Sequence, residues 1–285
     1  MRRIAVLGGG VSGLAAALYL HDAAVQRRLD LEIAVFERST RTGGCVQTLH
    51  EDGYTMELGP DSLLADKPAA RELLRRLQLD DQLVPIREEY RGSLIVHHGK
   101  LRPIPSEFRF FSPTSISALI RSGIFSPAGI ARAAIEPLVP ARASSDDESV
   151  ASFVARRFGR EVLERLAQPL IGGIYSGDPQ RMSMQATLPQ FVEMERAHGS
   201  IVRAMTRARS NGLAPQLMSL RDGLQSIVDA MRAQIGPLVR VSCEVQTLAR
   251  DGDGWHVGFT DGSRARADAV ICALPAYAAA RALRG

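Results

Sequence analysis

Apolar residues at the start of the chain follow two different spacings in succession. Residues 4–7 form a short, continuous apolar run of the strand type, and residues 14–20 continue as an alanine- and leucine-rich helix. Glycines separate these runs, and a second strand-type run covers residues 31–36. The pattern predicts a strand, a turn, a helix and a second strand. A secretion signal is the alternative, but it gives no reason for glycines at a fixed spacing.

The glycine turn and the acid after the second strand are typical of a dinucleotide site. Gly8 permits a tight turn, Gly10 lets a pyrophosphate approach the backbone, and Gly13 lets the helix pack closely on the strand. The free N–H groups at the start of the helix favour phosphate. Glu37, 24 positions after Gly13, can accept hydrogen bonds from ribose hydroxyls. The predicted cofactor contacts in this unit are Gly8, Gly9, Gly10, Ser12, Gly13, Glu37 and Arg38.

Two glycine-containing segments after Glu37 favour a flavin over a nicotinamide nucleotide. The first is ERSTRTGGC and the second is ELGPDS. A nicotinamide dehydrogenase has no need of an arginine–diglycine loop at this place. A flavin cofactor bound lengthwise needs protein contacts over a greater length, which such a loop can supply. Ordinary turns remain the alternative, because GG and GP dipeptides are common in turns. The further candidate cofactor contacts are Arg41, Gly43, Gly44, Gly59, Pro60, Asp61 and Ser62.

Composition places the chain among globular proteins and narrows its partners. The chain has 285 residues, of which 45% are hydrophobic and 23% charged, enough for one large domain or two of ordinary size. A net charge of +4 is compatible with an acidic substrate or a membrane surface. Aromatic residues make up only 5%, and no basic run alternates with them, which argues against nucleic acid. The three cysteines are far apart, so neither a zinc site nor a disulfide framework is expected, and a reducing cytoplasm fits best.

Later segments predict a helical region inside the fold. We expect a helix over residues 68–84, a hairpin over residues 91–105, and short helices with proline breaks over residues 112–140. Basic flanks on those short helices fit docking on an anionic membrane, although helices packed on their own domain have the same pattern. Another helix is expected after the acids at 146–148, which we expect to cap it, and residues 140–149 are the linker candidate.

Strand spacing returns near the end of the chain. Residues 239–248, 255–259 and 269–272 are predicted strands, with DGDG and DGS as turns. These strands follow a second helical stretch and predict a return to the nucleotide-binding sheet.

Several of these stretches together resemble a known family. GGGVSGLAAALYL, ERSTRTGG and ELGPDS look like the FAD-binding start of the flavin amine oxidase superfamily. QPLIGGIYSGDPQRMSMQ and LMSLRDGLQSIVDAM are similar to the protoporphyrinogen and coproporphyrinogen oxidases of haem biosynthesis, and GPDSLLADK looks closest to the bacterial, coproporphyrinogen-oxidising branch. The sequence departs from this pattern at Cys45, where the family usually has a larger or basic residue. It also ends before the glycine-rich C-terminal segment with which the family returns to the flavin.

The resemblance implies an α/β fold with a discontinuous, Rossmann-like FAD-binding domain. That domain would cover residues 1–90 and 217–285, with residues 91–216 inserted as an α+β substrate domain carrying a helical, membrane-associating segment. The C-terminal part of the family fold would be absent. Val245 is the expected backbone contact to the adenine, because in similar flavoproteins the corresponding strand reaches it.

The implied activity is FAD-dependent oxidation of coproporphyrinogen III or protoporphyrinogen IX to the porphyrin. Flavin N5 would accept hydride and oxygen would reoxidise the flavin, so we expect no catalytic side chain and no metal. Lys67 is the candidate partner of a substrate propionate, with a solvated lysine at a helix start as the alternative. Ile174 would line the substrate, and Gly172–Gly173 would either let the backbone approach it or only end a helix.

The expected location is the cytoplasm, with peripheral contact at the inner face of the cell membrane, and a homodimer stays open. Three other functions also stay open. One is a different flavin amine oxidase activity, such as a desaturase or an amine oxidase. The second is a non-catalytic fragment that binds FAD or porphyrin. The third, a nicotinamide enzyme, is disfavoured by the loops after Glu37.

Overall fold

The computed structural model describes residues 1–64, 67–90, 92–105, 108–109, 111–113, 116–144, 146–208 and 217–284. The two residues before Lys67 in GPDSLLADK, residue 91 at the start of the expected hairpin, and positions 114 and 115 therefore lie outside the described residues. The chain divides into two compact units: unit 1 contains residues 1–86 and 215–285, and unit 2 contains residues 87–214.

The secondary structure alternates between strands and helices along the described residues. The strands are β1 (Arg2–Leu7), β2 (Leu31–Phe36), β3 (Thr48–Glu51), β4 (Tyr54–Glu57), β5 (Leu63–Leu64), β6 (Leu83–Pro85), β7 (Leu94–His97), β8 (Lys100–Pro103), β9 (Phe108–Arg109), β10 (Ser112–Pro113), β11 (Leu217–Leu220), β12 (Val239–Arg240), β13 (Val245–Asp251), β14 (Gly254–Phe259), β15 (Arg264–Ala267) and β16 (Ala269–Cys272). The α-helices are α1 (Val11–Arg27), α2 (Pro68–Arg76), α3 (Ile116–Ser122), α4 (Pro127–Ala134), α5 (Val150–Phe158), α6 (Arg160–Val162), α7 (Gln168–Tyr175), α8 (Met184–Thr187), α9 (Pro189–His198), α10 (Ile201–Ala208), α11 (Gln225–Ile235) and α12 (Ala276–Ala282).

A parallel sheet with strand order β12-β2-β1-β16 forms the centre of unit 1. Successive side chains of a strand point to opposite faces, so β1 contributes to two clusters. Val6 packs with buried residues of α1 and α11, whereas Ala5 and Leu7 pack with β13, β14, β15 and α12. The sheet is therefore covered on both faces, which explains the continuous apolar runs of β1 and β2.

The predicted helix over residues 68–84 is too long. Helix α2 ends at Arg76, and Gln78 turns the chain with a left-handed φ of 59°. Leu83 then begins β6, which pairs with β11. The leucine spacing fits a helix, but residues 83–85 form a strand because they pair with β11, which lies more than a hundred residues away along the chain.

The predicted strand over residues 239–248 is broken in two, and a strand between the predicted strands 255–259 and 269–272 was missed. Ser242 has a left-handed φ of 56° between β12 and β13, which ends the parallel pairing before the antiparallel meander begins. The missed strand is β15, which pairs with β14. Its Arg–Ala alternation places Ala267 in the core and leaves Arg264 and Arg266 exposed, a pattern typical of a half-buried strand.

Unit 2 is mainly helical, around a core that includes Phe111, Phe153, Phe158 and Phe191. The hairpin of β7 and β8 turns at His98–Gly99, where both residues have positive φ, as a type I′ turn requires. Residues 140–149 are not a linker between compact units, because they lie inside unit 2. Among the residues described, no helix combines the length and the apolar character needed to span a bilayer.

Two details of the helices in unit 2 differ from expectation. The side chain that caps α5 is Ser149, which accepts from the Ser152 N–H, rather than one of the acids before it. Gly172 and Gly173 lie within α7 and do not end it; Ser176, with a left-handed φ of 49°, follows the last helical residue. A π-helix over Leu163–Ala167 precedes α7 and adapts the helix to Pro169, which has no N–H to donate.

Candidate functional site

The turn between β1 and α1 requires glycine at two positions for reasons internal to the protein. Gly8 has a φ of 105°, and a Cβ on it would lie 2.8 Å from the Ala273 carbonyl oxygen. A Cβ on Gly13 would overlap the carbonyl oxygen of Gly8. Both glycines are buried, so these two positions let α1 pack onto the sheet.

At position 10, the surrounding protein gives no such reason for glycine. Its φ of −72° and ψ of 177° suit any residue, and the nearest atom to a Cβ there is the Gly44 Cα at 4.0 Å. Gly10 is also the N-cap of α1, and no side chain caps the first turn of this helix, which holds no acidic residue. Uncapped N–H groups beside an open glycine are what a phosphate group needs.

Glu37 holds the same turn from the end of β2. Its side chain is only 7% exposed, and Oε2 accepts from the Gly9 N–H at 2.7 Å while Oε1 accepts from the Ser39 N–H at 2.8 Å. Each carboxylate oxygen therefore keeps a lone pair for a further donor, such as a ribose hydroxyl. Arg38, the next residue, is exposed.

The arginine–diglycine loop lies directly against this turn. The Gly43 N–H donates to the Gly9 carbonyl oxygen at 2.8 Å, and Gly10 and Gly43 form a parallel bridge. The guanidinium of Arg41 donates to three carbonyl oxygens of the loop, those of Thr42, Gly44 and Val46, at 2.7–3.2 Å. Arg41 thus fixes the loop, which is a role in addition to the cofactor contact expected from the sequence.

The ELGPDS segment approaches the loop through one residue. A Cβ on Gly59 would overlap the Cys45 carbonyl oxygen, so glycine is needed for this close approach. Pro60 and Asp61 are exposed beyond it, and the hydroxyl of Ser62 donates to the Asp61 carboxylate at 2.9 Å. The structure therefore brings the glycine turn, Glu37, the diglycine loop and Gly59 together.

The segment before Val245 lies beside Glu37. The Cys243 N–H donates to the Glu37 carbonyl oxygen at 2.8 Å, and the Glu37 N–H donates to the Arg240 carbonyl oxygen at 2.9 Å. Val245 is the half-buried first residue of β13, two positions beyond Cys243. Val245 thus lies two positions along the chain from Cys243, whose backbone N–H contacts Glu37.

Sequence reasoning missed the residues that fix α11 against this region. Glu57 accepts from the Leu224 N–H at 2.7 Å and from the Thr48 hydroxyl at 2.9 Å, and that hydroxyl accepts in turn from the Gln225 N–H at 3.0 Å. Two side chains of the β3–β4 hairpin thus cap the start of α11. The only sequence signal is that Glu57 opens the ELGPDS segment.

The two candidate substrate residues lie in different units. Lys67, in unit 1, is exposed at the N-cap of α2. Ile174, in unit 2, is 59% exposed near the end of α7, beside Tyr175 at 42%. Among the described residues, no atom beyond the neighbouring residues and the backbone of the same helix lies within 4 Å of a Cβ built on Gly172 or Gly173. Helix α7 therefore presents a flat surface with apolar side chains at its end.

Unit 2 also contains a buried charged cluster that the sequence did not reveal. Glu136 and Arg157 are both fully buried and form an ion pair. Glu136 also accepts from the Ser200 hydroxyl and from the Ile201 N–H, and so caps α10. Arg157 further donates to Glu195 at 3.2 Å. No group of three or more metal-ligating side chains occurs in the described part of the chain.

Burial and hydrogen bonding act in opposite directions on Glu195. Burial raises the pKa of this carboxyl, but the hydrogen bond and charge of Arg156, the charge of Arg157 and the hydrogen bond from the Arg142 N–H together leave the pKa lowered. The carboxylate is therefore the stable form in the cluster, which keeps the network charged and internally paired.

Known proteins support the resemblance drawn from the sequence motifs. Bacillus subtilis coproporphyrinogen III oxidase is 36% identical over 98% of this chain and 61% of that protein. Spinach chloroplastic protoporphyrinogen oxidase 1 is 30% identical over 98% of this chain and 51% of that protein. A crystal structure from Exiguobacterium, of a protein assigned as a protoporphyrinogen oxidase, matches 99% of this chain and 61% of its own with a TM-score of 0.82 and 30% identity.

The resemblance to the porphyrinogen oxidases is thus confirmed, and the fold is of the flavin amine oxidase type with mixed α/β content. The chain spans about three fifths of the length of the bacterial relative, 61%. The profile of the family described as flavin containing amine oxidoreductase matches residues 11–284. Because this match covers nearly the whole chain, the protein belongs to the flavin containing amine oxidoreductase family.

Proposed function

We propose that this chain binds FAD in unit 1 and forms part of an enzyme that oxidises a porphyrinogen, coproporphyrinogen III or protoporphyrinogen IX, to the porphyrin with oxygen as acceptor. Gly10 is the observation that carries the cofactor assignment. The protein around it tolerates a side chain, so the open space and the uncapped helix start are best explained by a ligand.

The donor set of the site fits FAD. The start of α1 would hold the diphosphate, and Glu37 would accept from the ribose. The diglycine loop, which Arg41 fixes, and the adjacent Gly59 would contact FAD beyond the diphosphate. Pro60, Asp61 and Ser62 would continue these contacts along the cofactor. The backbone at Val245 would contact the adenine. Bound there, FAD supplies the two-electron redox chemistry that the removal of hydrogen from a porphyrinogen needs.

The substrate contacts follow from shape and charge. Helix α7 offers a helix face without Cβ atoms at two successive positions, next to the exposed Ile174, which suits a large flat ring. The ammonium group of Lys67 would pair with a propionate, because charge-assisted hydrogen bonds to carboxylates are strong. These roles need no catalytic side chain from the chain itself.

Contact with a membrane surface belongs to the same proposal. On α3, Ile116 and Ile120 are 54% and 61% exposed at a spacing of four residues, so they share one face, and Arg121 follows. An apolar stripe beside a basic residue favours peripheral contact with anionic lipid at the inner face of the cell membrane. The proposed location is therefore the cytoplasm and this membrane face.

Retention of FAD by Gly10 variants tests the cofactor site. Gly10→Val places two methyl groups where the diphosphate would lie, so we expect FAD affinity to fall at least about a hundredfold, by loss of close backbone approach. The far-UV circular dichroism and the unfolding midpoint should stay near wild type, because the φ at this position is ordinary. Gly172→Ala, on the open face of α7, is the control and should leave flavin affinity unchanged. Undiminished FAD binding by Gly10→Val would refute the site.

A porphyrin-binding measurement tests Lys67. The chain has two lysines, so Lys100→Ala is a matched control for Lys67→Ala. Quenching of coproporphyrin fluorescence should show weaker binding, by several-fold, for Lys67→Ala alone. Equal affinities for the two variants would remove the role given to Lys67. Turnover of amines instead of porphyrinogens by an enzyme containing this chain would favour a different flavin amine oxidase activity.

A further inference from the structure

The start of helix α11 is capped from a distant part of the chain. Leu224, the N-cap residue, has an apolar side chain that cannot accept a hydrogen bond, and the first turn of α11 holds no acidic residue. The N–H groups at this end are satisfied from the β3–β4 hairpin: Glu57 accepts from Leu224, and Thr48 accepts from Gln225. A carboxylate near the N-terminus of a helix also interacts favourably with the helix dipole. The hairpin therefore fixes the place where α11 begins.

The hairpin and the start of α11 approach each other most closely at Gly223. A Cβ built on this glycine would overlap the Thr48 side chain, and its φ of 83° is one that glycine adopts readily. Thr48 and Glu57 lie directly opposite each other on β3 and β4, and the hydroxyl of Thr48 donates to the carboxylate at 2.9 Å. The start of α11 is therefore held by both strands of the hairpin together.

One turn into α11, Val228 packs on the diglycine loop. Its side chain is fully buried, and its Cγ2 atom lies 3.1 Å from the point where a Cβ on Gly43 would stand. Val228 follows Leu224 by four residues, so the two residues share one face of the helix. Gly43 in turn donates to the carbonyl oxygen of Gly9, in the turn before α1. A displacement of the start of α11 would therefore act on the loop through Val228.

The hairpin also reaches the diglycine loop directly. The Leu58 N–H donates to the Gln47 carbonyl oxygen at 2.8 Å, so the chain stays paired beyond the end of β4. The next residue is Gly59, which leaves no space for a Cβ beside the Cys45 carbonyl oxygen. Glu57 thus lies on the short segment that links the α11 contact to the loop contact.

We propose that Glu57 and Thr48 are positioning residues for the flavin site. Neither belongs to the proposed FAD contacts; both act through α11 and Val228, which keep the diglycine loop against the turn at Gly9. Without these hydrogen bonds the loop would leave that position more often, and FAD would bind at the cost of ordering it. The identity of the ligand rests on the proposed function, whereas the order of the loop can be measured without a ligand.

Hydrogen exchange of the 285-residue chain without FAD tests the positioning itself. Thr48→Val keeps a side chain of similar size but removes the hydroxyl, and the peptide over residues 41–47 should then exchange about tenfold faster. Thr48→Ser keeps the hydroxyl and should restore the slow exchange. Leu77→Val is the control for a general loss of stability, because Leu77 is buried in the same core cluster as Val228. It should leave exchange at residues 41–47 unchanged.

FAD affinity, measured by quenching of flavin fluorescence below the unfolding midpoint, tests the link to binding. Glu57→Ala removes the acceptor of the Leu224 N–H and the partner of Thr48, so we expect the affinity to fall by about tenfold. Thr48→Val should lower it several-fold. Thr48→Ser and Leu77→Val should bind FAD as the wild type does, which separates positioning of the loop from loss of stability.

Two results would overturn the proposal. One is wild-type exchange over residues 41–47 in both Glu57→Ala and Thr48→Val. The other is wild-type FAD affinity in these two variants while Gly10→Val loses FAD, because the flavin site would then exist without needing them. If the wild-type chain itself bound no FAD, the proposed function would fail, and exchange alone would decide whether Glu57 and Thr48 position the loop.

Discussion

The glycine turn of unit 1 and the charged cluster of unit 2 both contain a buried carboxylate, but these two groups are satisfied in different ways. Glu37 accepts from two backbone N–H groups and has no cation bonded to it in the described structure. Glu136 accepts from the Arg157 guanidinium, from the Ser200 hydroxyl and from backbone N–H groups of α10. The first carboxylate keeps capacity for another donor, and the second is saturated by the protein.

The difference separates a binding site from a structural element. A buried charge is costly unless it is paired and hydrogen-bonded, and the cluster in unit 2 meets both conditions internally. Glu37 lies instead beside Gly10, where the nearest atom to a Cβ is 4.0 Å away. A carboxylate with free lone pairs next to open backbone is placed to receive a ligand, whereas a saturated one fixes helices.

The largest effect is expected from breaking the cluster. Arg157→Met removes the cation from a fully buried pair and leaves Glu136 buried without it. We expect the free energy of unfolding to fall by about 3–5 kcal/mol, measured by urea denaturation. The double variant Glu136→Leu with Arg157→Met should lose less than the single one, because no unpaired charge remains. A loss below about 1 kcal/mol for Arg157→Met would show that the cluster does not stabilise unit 2.

A smaller effect is expected at Glu37, and it should appear in binding as well as stability. Glu37→Gln replaces one accepting oxygen with an NH2 group, which would face the N–H of Gly9 or Ser39. We expect the free energy of unfolding to fall by about 1–3 kcal/mol and FAD affinity to fall by about tenfold. Glu32→Gln, on the exposed side of β2, is the matched control. Wild-type FAD affinity in Glu37→Gln would contradict the ribose contact.

The glycine turn was predictable because its signal is local. The runs at residues 4–7, 14–20 and 31–36 and the glycines between them specify a strand, a helix and a second strand in one short stretch, and the structure has β1, α1 and β2 there. The hairpin around His98–Gly99 was predictable for the same reason, since turn residues and flanking apolar runs are adjacent.

The rest depends on contacts between distant parts of the chain. Leu83 has helical spacing but joins β6, because β11 pairs with it from residues 217–220. The Glu136–Arg157 cluster joins residues 21 positions apart, and Ser200 lies 64 positions from Glu136. Charged residues are common on helix surfaces, so nothing in the sequence marks these as buried. Such pairings become visible only in the folded chain.

The smallest effect is expected at a partly exposed ion pair of unit 1, which shows what burial adds to the pair in unit 2. The Arg76 guanidinium donates two hydrogen bonds of 2.7 Å to Asp22, and these bonds hold the pKa of that carboxyl below its ordinary 3.8. Because the folded pKa is lowered, the pair stabilises the protein above the ordinary pKa and loses this contribution as the pH falls through the lowered value.

At neutral pH, Asp22→Asn should therefore cost no more than about 1 kcal/mol, because the side chains of the pair are 22% and 35% exposed and water and salt screen them. The difference in unfolding midpoint between wild type and Asp22→Asn should narrow with added salt, and again as the pH falls below 3.8. A loss as large as that of Arg157→Met would mean that burial does not make the ion pair in unit 2 more important for stability than the one in unit 1. The ratio of the two losses thus measures how much burial raises the cost of leaving one member of an ion pair without its partner.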